Sequence, residues 1–173
     1  MATLIRTNRL TETSLIVHWC SEQRGLIKTA AKGALRPKSP FAGKLDLFFE
    51  AELIYVPSRT GDLHTLREVS VVQPRASIRN SYESTLAAAY FVRWVEIVSE
   101  RETPIPELAD LLRRALDFLS EKPLSRKAVN HFEMELARFC GLGEGLEAPV
   151  KALAEMHDQV PAQLAELRKR AFA

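Results

Sequence analysis

The spacing of hydrophobic residues changes near residue 80, from the alternation typical of strands to the three-and-four spacing typical of helices. Before that point, five stretches rich in β-branched and aromatic residues are separated by turn-forming segments. They are Thr3–Arg9, Ser14–Cys20, Gly25–Lys32, Leu45–Val56 and Leu63–Val72. No helical pattern long enough for a strand–helix–strand unit lies between them. The first half is therefore predicted to be an antiparallel sheet closed on itself.

The alternation within these stretches predicts which strand is central. Along Ser14–Cys20 both faces are largely apolar, with Leu15, Val17 and Trp19 on one side and Ile16, His18 and Cys20 on the other. In Leu45–Val56, one face is expected to carry Leu45, Leu47, Phe49, Ala51 and Leu53, and the opposite face Asp46, Phe48, Glu50 and Glu52. Five short strands in about 75 residues predict an oligonucleotide-binding (OB) barrel, with an SH3-like barrel as the alternative.

The second half is predicted to be all helical, which makes the chain a multi-domain α+β protein with domains at 1–78 and 79–173. A first helix is expected from Ser81 to Glu100, with an apolar stripe that includes Tyr90, Phe91 and Trp94. After Pro104 and Pro106 a second helix follows through Leu108–Leu119, and a third through Ala128–Phe139 is capped by Ser125. Left-handed caps are expected at Gly141, Gly143 and Gly145, followed by helices at Ala148–His157 and Val160–Phe172.

Charge is distributed unevenly between the two halves. Residues 1 to 80 carry 12 Lys and Arg against 7 Asp and Glu, a net charge of +5, whereas residues 81 to 173 carry 12 against 15, a net charge of −3. The first half is therefore suited to an anionic partner, and the second to a neutral, basic or protein partner.

Composition excludes disordered and membrane-spanning classes, because 46% of residues are hydrophobic, 27% are charged, and no run approaches the roughly 18 apolar residues of a membrane span. Arg6 and Arg9 lie inside an amphipathic stretch, so we expect a cytoplasmic protein without membrane contact. Cys20 and Cys140 have no second Cys or His at ligand spacing. Both are expected to be small buried residues, with no disulfide, metal or cofactor.

A basic connection follows the third predicted strand. From Ala31 to Lys44 it carries the cations Lys32, Arg36, Lys38 and Lys44 among two glycines and two prolines. Glycine permits backbone conformations that other residues resist, and proline removes an amide donor, so the segment is not expected to join a strand ladder. Clustered cations repel one another, and phosphates relieve that repulsion through counterion release. We name residues 31–44 the basic loop and predict that it faces a polyanion.

Catalytic patterns are weak by comparison. His18 and His64 lie in predicted strands without a local nucleophile, and His131 with Glu135 lacks a further ligand for a metal. The Gly141–Gly145 run follows a helix instead of preceding one, so it does not place phosphates at a helix N-terminus. We expect the protein not to be an enzyme.

Several segments together match the pattern of a known family. They include Leu4–Thr7, Glu12–Val17, Gly25–Lys28, Phe41–Gly43 and Leu63–Leu66, and the most specific is Ala31–Ser39, with the sequence Ala-Lys-Gly-Ala-Leu-Arg-Pro-Lys-Ser. These segments resemble the RecO family of bacterial DNA repair and recombination mediators. Ala87–Tyr90 and the helical pattern after it fit the family's second domain, so that the resemblance covers roughly residues 1 to 146.

The resemblance implies an N-terminal OB-fold that binds single- and double-stranded DNA, and a helical domain. It also implies strand annealing in recombinational repair of DNA damage, loading of RecA together with RecR, and contact with single-stranded DNA-binding protein. Localisation is expected to be cytoplasmic and associated with the nucleoid. Many relatives carry a four-cysteine zinc module in a longer C-terminal region, whereas only about 27 residues, none of them cysteine, follow Leu146 here. We therefore expect a shortened RecO-like protein without the zinc module.

Candidate site residues follow from these patterns. Sequence-independent phosphate contacts are predicted for Lys32, Arg36, Lys38 and Lys44, with Arg24 and Lys28 on adjacent segments and Arg6 or Arg67 nearby. Phe41 is the candidate for stacking on a base, whereas Trp19 and Phe49 are expected in the core. The resemblance implies that a groove between helices receives the acidic C-terminal tail of single-stranded DNA-binding protein. Its candidate rim cations are Arg93, Arg126 and Lys127.

Two other functions fit the same residues. The barrel of an interaction adaptor, or of a reduced RecO-like paralogue without mediator activity, would bind protein and use its positive loop only to steer acidic partners. A nuclease is the third alternative, although no carboxylate cluster for divalent metals is evident in the sequence. A strand-annealing assay with and without the loop cations, run in a chelator, separates these functions.

Overall fold

The computed structural model describes residues 1–143 and 147–171, and begins with five strands. They are β1 (Ala2–Arg9), β2 (Leu15–Ser21), β3 (Gly25–Ala31), β4 (Glu50–Val56) and β5 (Leu63–Gln73). The strands close into a barrel in the order β1–β2–β3–β5–β4, which confirms the predicted OB-type barrel. The described part of the chain after the barrel contains the five predicted helices.

One strand pairing differs from the all-antiparallel prediction. The pairs β1–β2, β2–β3, β4–β5 and β1–β4 are antiparallel, but β3 and β5 run parallel from Lys28 opposite Leu63 to Ala30 opposite Thr65. The long connection after β3 carries the chain to the far side of the barrel, where β4 pairs with β1. β5 then runs antiparallel to β4 and lies beside β3. Four antiparallel pairings connect β3 to β5 by way of β2, β1 and β4, and an even number of reversals leaves β3 and β5 parallel.

The fourth strand is shorter than predicted. β4 begins at Glu50 instead of Leu45, since Phe48 has a left-handed backbone with φ of +70° that ends any extended run. The predicted alternation fails there as a result: Leu47 is 40% exposed, whereas Phe48 and Glu50, assigned to the outer face, are buried. From Ala51 onward the prediction holds, because Ala51 is fully buried in the barrel core.

The barrel core forms around Trp19, which is fully buried with Leu4, Val17 and Leu66 beside it. The Trp19 indole Nε1–H donates to Thr29 Oγ1 at 2.9 Å, so its polar atom is satisfied inside the core. Phe49 and Cys20 are also buried, as predicted. Burial raises the pKa of the Cys20 thiol to about 12, which keeps it protonated and unreactive.

The described chain forms two compact units. One short connector belongs to a different unit from the segments that precede and follow it in the sequence. One unit comprises Met1–Arg75 together with Glu100–Pro106, and the other comprises Ala76–Ser99 together with Glu107–Ala173. The connector Glu100–Pro106, which we name the strap, joins two helices but packs with the barrel. The domain boundaries 1–78 and 79–173 stay a prediction.

Backbone contacts hold the strap against the β2–β3 turn. Arg101 forms a parallel bridge with Leu26, and the Glu102 N–H donates to Leu26 O at 3.2 Å. The Ile105 N–H donates to Glu22 O at 3.1 Å. Gly25 permits this approach, because a Cβ added there would lie 2.0 Å from Thr103 O.

The helical unit follows the predicted pattern closely. Its helices are α1 (Tyr82–Val98), α2 (Pro106–Glu121), α3 (Arg126–Phe139), α4 (Pro149–His157) and α5 (Leu164–Ala171), preceded by a 3₁₀ turn at Ala76–Asn80. Ser125 caps α3 by accepting from the Ala128 N–H at 3.2 Å, as predicted. Gly141 and Gly143 have the expected left-handed φ values of +76° and +82°, whereas Gly145 and Phe172 lie outside the described residues. α5 begins at Leu164, four residues later than predicted.

Cys140 differs from its predicted burial. Its side chain is only partly covered at the end of α3, where Sγ lies 3.8 Å from His157 Nε2. Partial burial raises the pKa of this thiol. Within residues 1–143 and 147–171 no three or more His, Cys, Asp or Glu side chains gather in a metal-binding group, and no helix is long and apolar enough to cross a membrane.

Candidate nucleic-acid interface

The basic loop is an ordered chain of turns. Successive amides donate back three residues, from Arg36 N to Gly33 O at 3.1 Å, Ser39 N to Arg36 O at 3.0 Å, and Lys44 N to Phe41 O at 3.0 Å. Gly33 has a φ of +69°, a conformation that glycine adopts without strain. The loop therefore avoids a strand ladder, as predicted, and satisfies much of its backbone internally.

Two further contacts attach the start of the loop to the β1–β2 connection. The Leu35 N–H donates to Thr13 O at 2.9 Å, and the Gly33 N–H donates to Ser14 Oγ at 3.1 Å. These bonds join segments about 20 residues apart in sequence. They restrict where the following cations can lie and reduce the entropy lost when a ligand binds.

Phe41 anchors the middle of the loop in the barrel core. It is 5% exposed and belongs to the same apolar cluster as Trp19 and Leu66. The expectation that its ring is available to a base is therefore wrong for this conformation. Flanking Pro40 and Ala42 suggested a surface residue, but a large aromatic side chain at the open end of a barrel gains more by covering the core.

The four loop cations lie on the surface around this anchor. Lys32, Arg36, Lys38 and Lys44 are all exposed, and none forms an ion pair with a carboxylate of the described chain. Lys32 directly follows the end of β3, whereas Lys44 comes after Phe41. The arrangement is a single ordered loop with four uncompensated positive charges, which can contact phosphates without reading bases.

A buried ion pair holds the other end of this connection. The fully buried Arg75 guanidinium donates through Nη1 to Phe48 O at 2.9 Å and through Nη2 to Glu50 Oε2 at 2.7 Å. Phe48 is the residue with the left-handed backbone, so the clamp stabilises the turn that leads into β4. Sequence reasoning missed Arg75, since its partners lie 27 and 25 residues away and share no local pattern with it.

Arg24 and Lys28 do not join the loop cations. Arg24 is exposed in the β2–β3 turn, at the opposite end of β3 from Lys32, eight residues or ~26 Å along an extended strand. Lys28 lies in the middle of β3, and its Nζ donates to Asp62 Oδ2 at 2.9 Å. The Lys28 hydrogen bond is the main cause that lowers the pKa of the Asp62 carboxyl.

Arg9 is a cation near the loop that sequence reasoning did not assign to the site. It is exposed at the end of β1, opposite Leu15, and Leu15 in turn lies opposite Ala31. With strands about 4.8 Å apart, this register places the Arg9 backbone about 10 Å from Ala31. The position of Arg9 near the loop follows only from which strand ends pair with one another. Arg6 and Arg67 are exposed on β1 and β5.

His64 has a structural environment. It is buried, its ring stacks on Tyr55 with centroids 5.2 Å apart, and Nδ1 accepts from the Ser58 N–H at 3.2 Å. Its Nε2 lies 3.7 Å from Glu102 Oε1 in the strap. The imidazole thus links the β4–β5 loop to the strap.

A groove of about 420 Å³ lies in the helical unit between α1, α2 and α3. Its floor is apolar and its rim carries cations; the lining includes Phe91, Leu111, Phe118, Phe132, Arg114, Lys127 and His131. Of the three predicted rim cations, the structure places Lys127 here. Arg126 lines a separate polar cavity with Glu133 and Arg168, and Arg93 contacts Glu96 and Gln159. Arg114 and His131 were not predicted.

The closed five-stranded barrel and its ordered basic loop define the first unit as an OB-type barrel domain, followed in the chain by a helical unit. Residues 1–75 match the family described as Recombination protein O N terminal. The chain is therefore similar to RecO, and its barrel is similar to the N-terminal domain of that family.

Curated relatives extend the similarity beyond the barrel. DNA repair protein RecO of Syntrophus aciditrophicus is 26% identical over 156 residues, covering 90% of this chain and 60% of the relative. DNA repair protein RecO of Rhodopirellula baltica is 28% identical over 141 residues, covering 82% and 52%. The RecO protein of Salinibacter ruber is 30% identical over 152 residues, covering 84% and 56%. The chain therefore spans between 52% and 60% of the length of these relatives.

Proposed function

We propose that this protein binds DNA through the basic loop without sequence specificity and promotes annealing of complementary strands, as a recombination mediator of the RecO type. The observation that carries the proposal is the set of exposed cations Lys32, Arg36, Lys38 and Lys44 on an ordered loop of an OB-type barrel. Duplex and single strands both present the phosphate backbone that such a loop recognises.

Annealing requires charge neutralisation and no bond-forming group. A protein that neutralises phosphates on two strands lowers their mutual repulsion, and base pairing then supplies the favourable free energy. The site contains cations and a buried aromatic anchor, which suit this task without nucleotide hydrolysis. The proposal is therefore a non-enzymatic mediator that acts with RecR, single-stranded DNA-binding protein and, indirectly, RecA at the nucleoid.

The salt dependence of single-strand binding tests the role of the loop. If the four loop cations and one neighbour each neutralise a phosphate, log affinity should fall with log salt at a slope of about −3.5, from roughly −0.7 per contact. Lys32→Ala with Arg36→Ala should flatten the slope by about 1.4 and slow annealing of complementary oligonucleotides. Binding is measured by fluorescence anisotropy with a labelled oligothymidylate in a chelator.

A charge-matched control is available in the helical unit. Lys151→Ala with Lys169→Ala removes the same charge from two exposed positions outside the barrel and should leave the slope near the wild-type value. An equal slope for the loop variant and the wild type would remove the loop from the binding surface. Cleavage of the strand on adding a divalent metal would favour a nuclease instead.

The groove in the helical unit supports the second part of the proposal. Its aromatic floor suits an apolar side chain, and Arg114, Lys127 and His131 suit carboxylates, so an acidic tail with an apolar end fits both. We infer that it receives the C-terminal tail of single-stranded DNA-binding protein. The match between the groove and such a tail rests on the volume of the groove, its apolar floor and the positive charge at its rim.

An adaptor function remains a second candidate, and one observation favours it. Ile54, Val56 and Val72 on β4 and β5 are 57%, 47% and 49% exposed, so these strands present several exposed apolar side chains, apart from the basic loop and among polar neighbours. Such a surface suits a protein partner. An adaptor should not bind a long single strand at moderate salt, whereas a mediator should bind it and speed pairing.

A further inference from the structure

One carboxylate oxygen on the barrel accepts hydrogen bonds from two cations. Asp62 Oδ2 lies 2.9 Å from Lys28 Nζ and 2.8 Å from Arg101 Nη1. The three residues come from β3, from the end of the β4–β5 loop and from the strap, and are brought together only by the fold. The cluster is open to solvent: Asp62 is 46% exposed and Arg101 66%.

The position of this cluster is that of a ligand site in other barrels of the type. OB barrels bind oligonucleotides on the face of β2 and β3, flanked by the β1–β2 and β4–β5 loops. Lys28 lies in the middle of β3, opposite His18 of β2, and Asp62 directly precedes β5. A Lys and an Arg that converge on one anionic oxygen there present the donors that a phosphodiester oxygen takes.

We propose that Lys28 and Arg101 form a phosphate-binding site that Asp62 occupies in the free protein, and that a bound nucleic-acid strand displaces the Asp62 carboxylate. The inference rests on the proposed DNA binding and adds to it a second contact, outside the basic loop. Asp62 lowers the affinity of this contact, because a strand must replace an existing ion pair before it gains a new one.

Spacing connects the new site with the basic loop. Lys28 and Lys32 are four residues apart, about 13 Å along an extended strand. At about 3.4 Å of rise per stacked nucleotide, that distance spans roughly four nucleotides. OB barrels cover about 4 to 16 nucleotides, so one strand can reach both sites.

The competing explanation is that Asp62, Lys28 and Arg101 only form ordinary surface ion pairs. Substitutions distinguish this explanation from a phosphate-binding site. Asp62→Asn keeps the shape and removes the charge, and it should tighten single-strand binding by roughly two- to thirtyfold, the factor that two exposed ion pairs contribute. Glu68→Gln removes one charge from an exposed position on β5 and controls for the general electrostatic effect. If both variants tighten binding equally, the proposal is overturned.

Single substitutions of the cations provide a test in which Asp62 is retained. Lys28→Gln and Arg101→Gln should each flatten the salt slope by about 0.7, the value of one lost phosphate contact. Unchanged slopes in both variants would overturn the proposal even if Asp62→Asn fails to fold. If the wild type binds with a steep salt slope and both variants bind with the same slope, only this inference is contradicted. A wild-type protein without salt-dependent binding contradicts the proposed function itself.

Discussion

At the scale of single residues, the most unusual environment is that of Glu133 in α3. Its side chain is 5% exposed, and Oε1 accepts a hydrogen bond from the Tyr90 hydroxyl at 2.6 Å. Burial raises the pKa of Glu133, and the Tyr90 hydrogen bond and Arg168 oppose that rise without cancelling it. The pKa of Tyr90 is raised as well, chiefly by burial. The pair is therefore a buried donor and acceptor whose carboxyl favours the protonated form more than it would in an unfolded chain.

The sign of the pH dependence follows from that raised pKa. The contribution of Glu133 to stability is fully present below its unfolded pKa and is lost as pH rises through the higher folded pKa. Glu133→Gln should therefore match the wild type at acid pH and exceed it in stability at neutral pH, since the amide oxygen still accepts from Tyr90. Thermal unfolding of the two proteins between about pH 4 and 8 measures this difference.

A matched control for this substitution is Glu121→Gln, at an exposed position near the end of α2. It should change the pH dependence little. If Glu133→Gln instead matches the wild type at acid pH and is less stable than it at neutral pH, the ionised carboxylate is required, and its attraction to Arg168 outweighs the cost of burial.

At the scale of secondary-structure elements, three helices combine to form the groove. Phe91 of α1 stacks on Phe132 of α3 with ring centroids 4.1 Å apart, and both are nearly fully buried. Phe91 lies on the apolar stripe predicted for the first helix, and Phe132 lies in the third predicted helix; both are buried in the structure. They also line the groove floor, because the same ring can pack on one face and border a cavity on the other.

Lys127 at the rim of the groove can be tested by reversing its charge. Lys127→Glu on α3 places a negative charge where an acidic peptide needs a positive one, and should weaken binding of the single-stranded DNA-binding protein tail by about tenfold or more. Lys151→Glu on α4, outside the groove, makes the same charge change and should have a small effect. Isothermal titration with the tail peptide measures both, and equal affinities for the two variants would argue against the groove as its site.

At the scale of the whole molecule, the chain leaves the helical unit after α1, contributes the strap to the barrel unit, and returns at α2. Ile105 of the strap is 6% exposed, and its N–H donates a hydrogen bond to Glu22 O within the barrel unit. The barrel unit is thus assembled from two separate parts of the sequence. A fragment cut near residue 80 would lack the strap.

Gly25→Ala tests how much the strap contributes to barrel stability. The added methyl would lie 2.0 Å from Thr103 O, and the φ of +63° at Gly25 disfavours any other residue. The left-handed conformation alone costs about 1–2 kcal/mol, and displacing the strap should add to that cost. Urea unfolding followed by the combined fluorescence of Trp19 and Trp94 measures the total loss of stability.

Gly43 provides the matched control for this substitution. Its φ is +71°, and a Cβ added there meets nothing within 4 Å, so Gly43→Ala carries the backbone cost without a clash. The difference in unfolding free energy between Gly25→Ala and Gly43→Ala gives the contribution of the strap. Equal losses of stability would mean that the strap moves away freely and contributes little.

Much of the architecture was predictable because it depends on neighbours in sequence. Strand alternation identified the strands of the barrel, and the stripes with Ser125 identified the helices, since each signal comes from side chains within a few positions of one another. The basic loop was recognisable for the same reason. Its cations, glycines and prolines lie within 14 residues.

Local patterns alone therefore specify five strands, the main helices, and a cationic loop exposed between strands. The tertiary structure is needed to show that Phe41 fills the core, that β3 and β5 run parallel, and that Arg75 clamps the entry to β4. It also brought Asp62 to Lys28 and Arg101, which lie 34 and 39 residues away. The physical reason is that burial and ion pairing depend on distance in space, and barrel closure makes distant segments neighbours that no local pattern records.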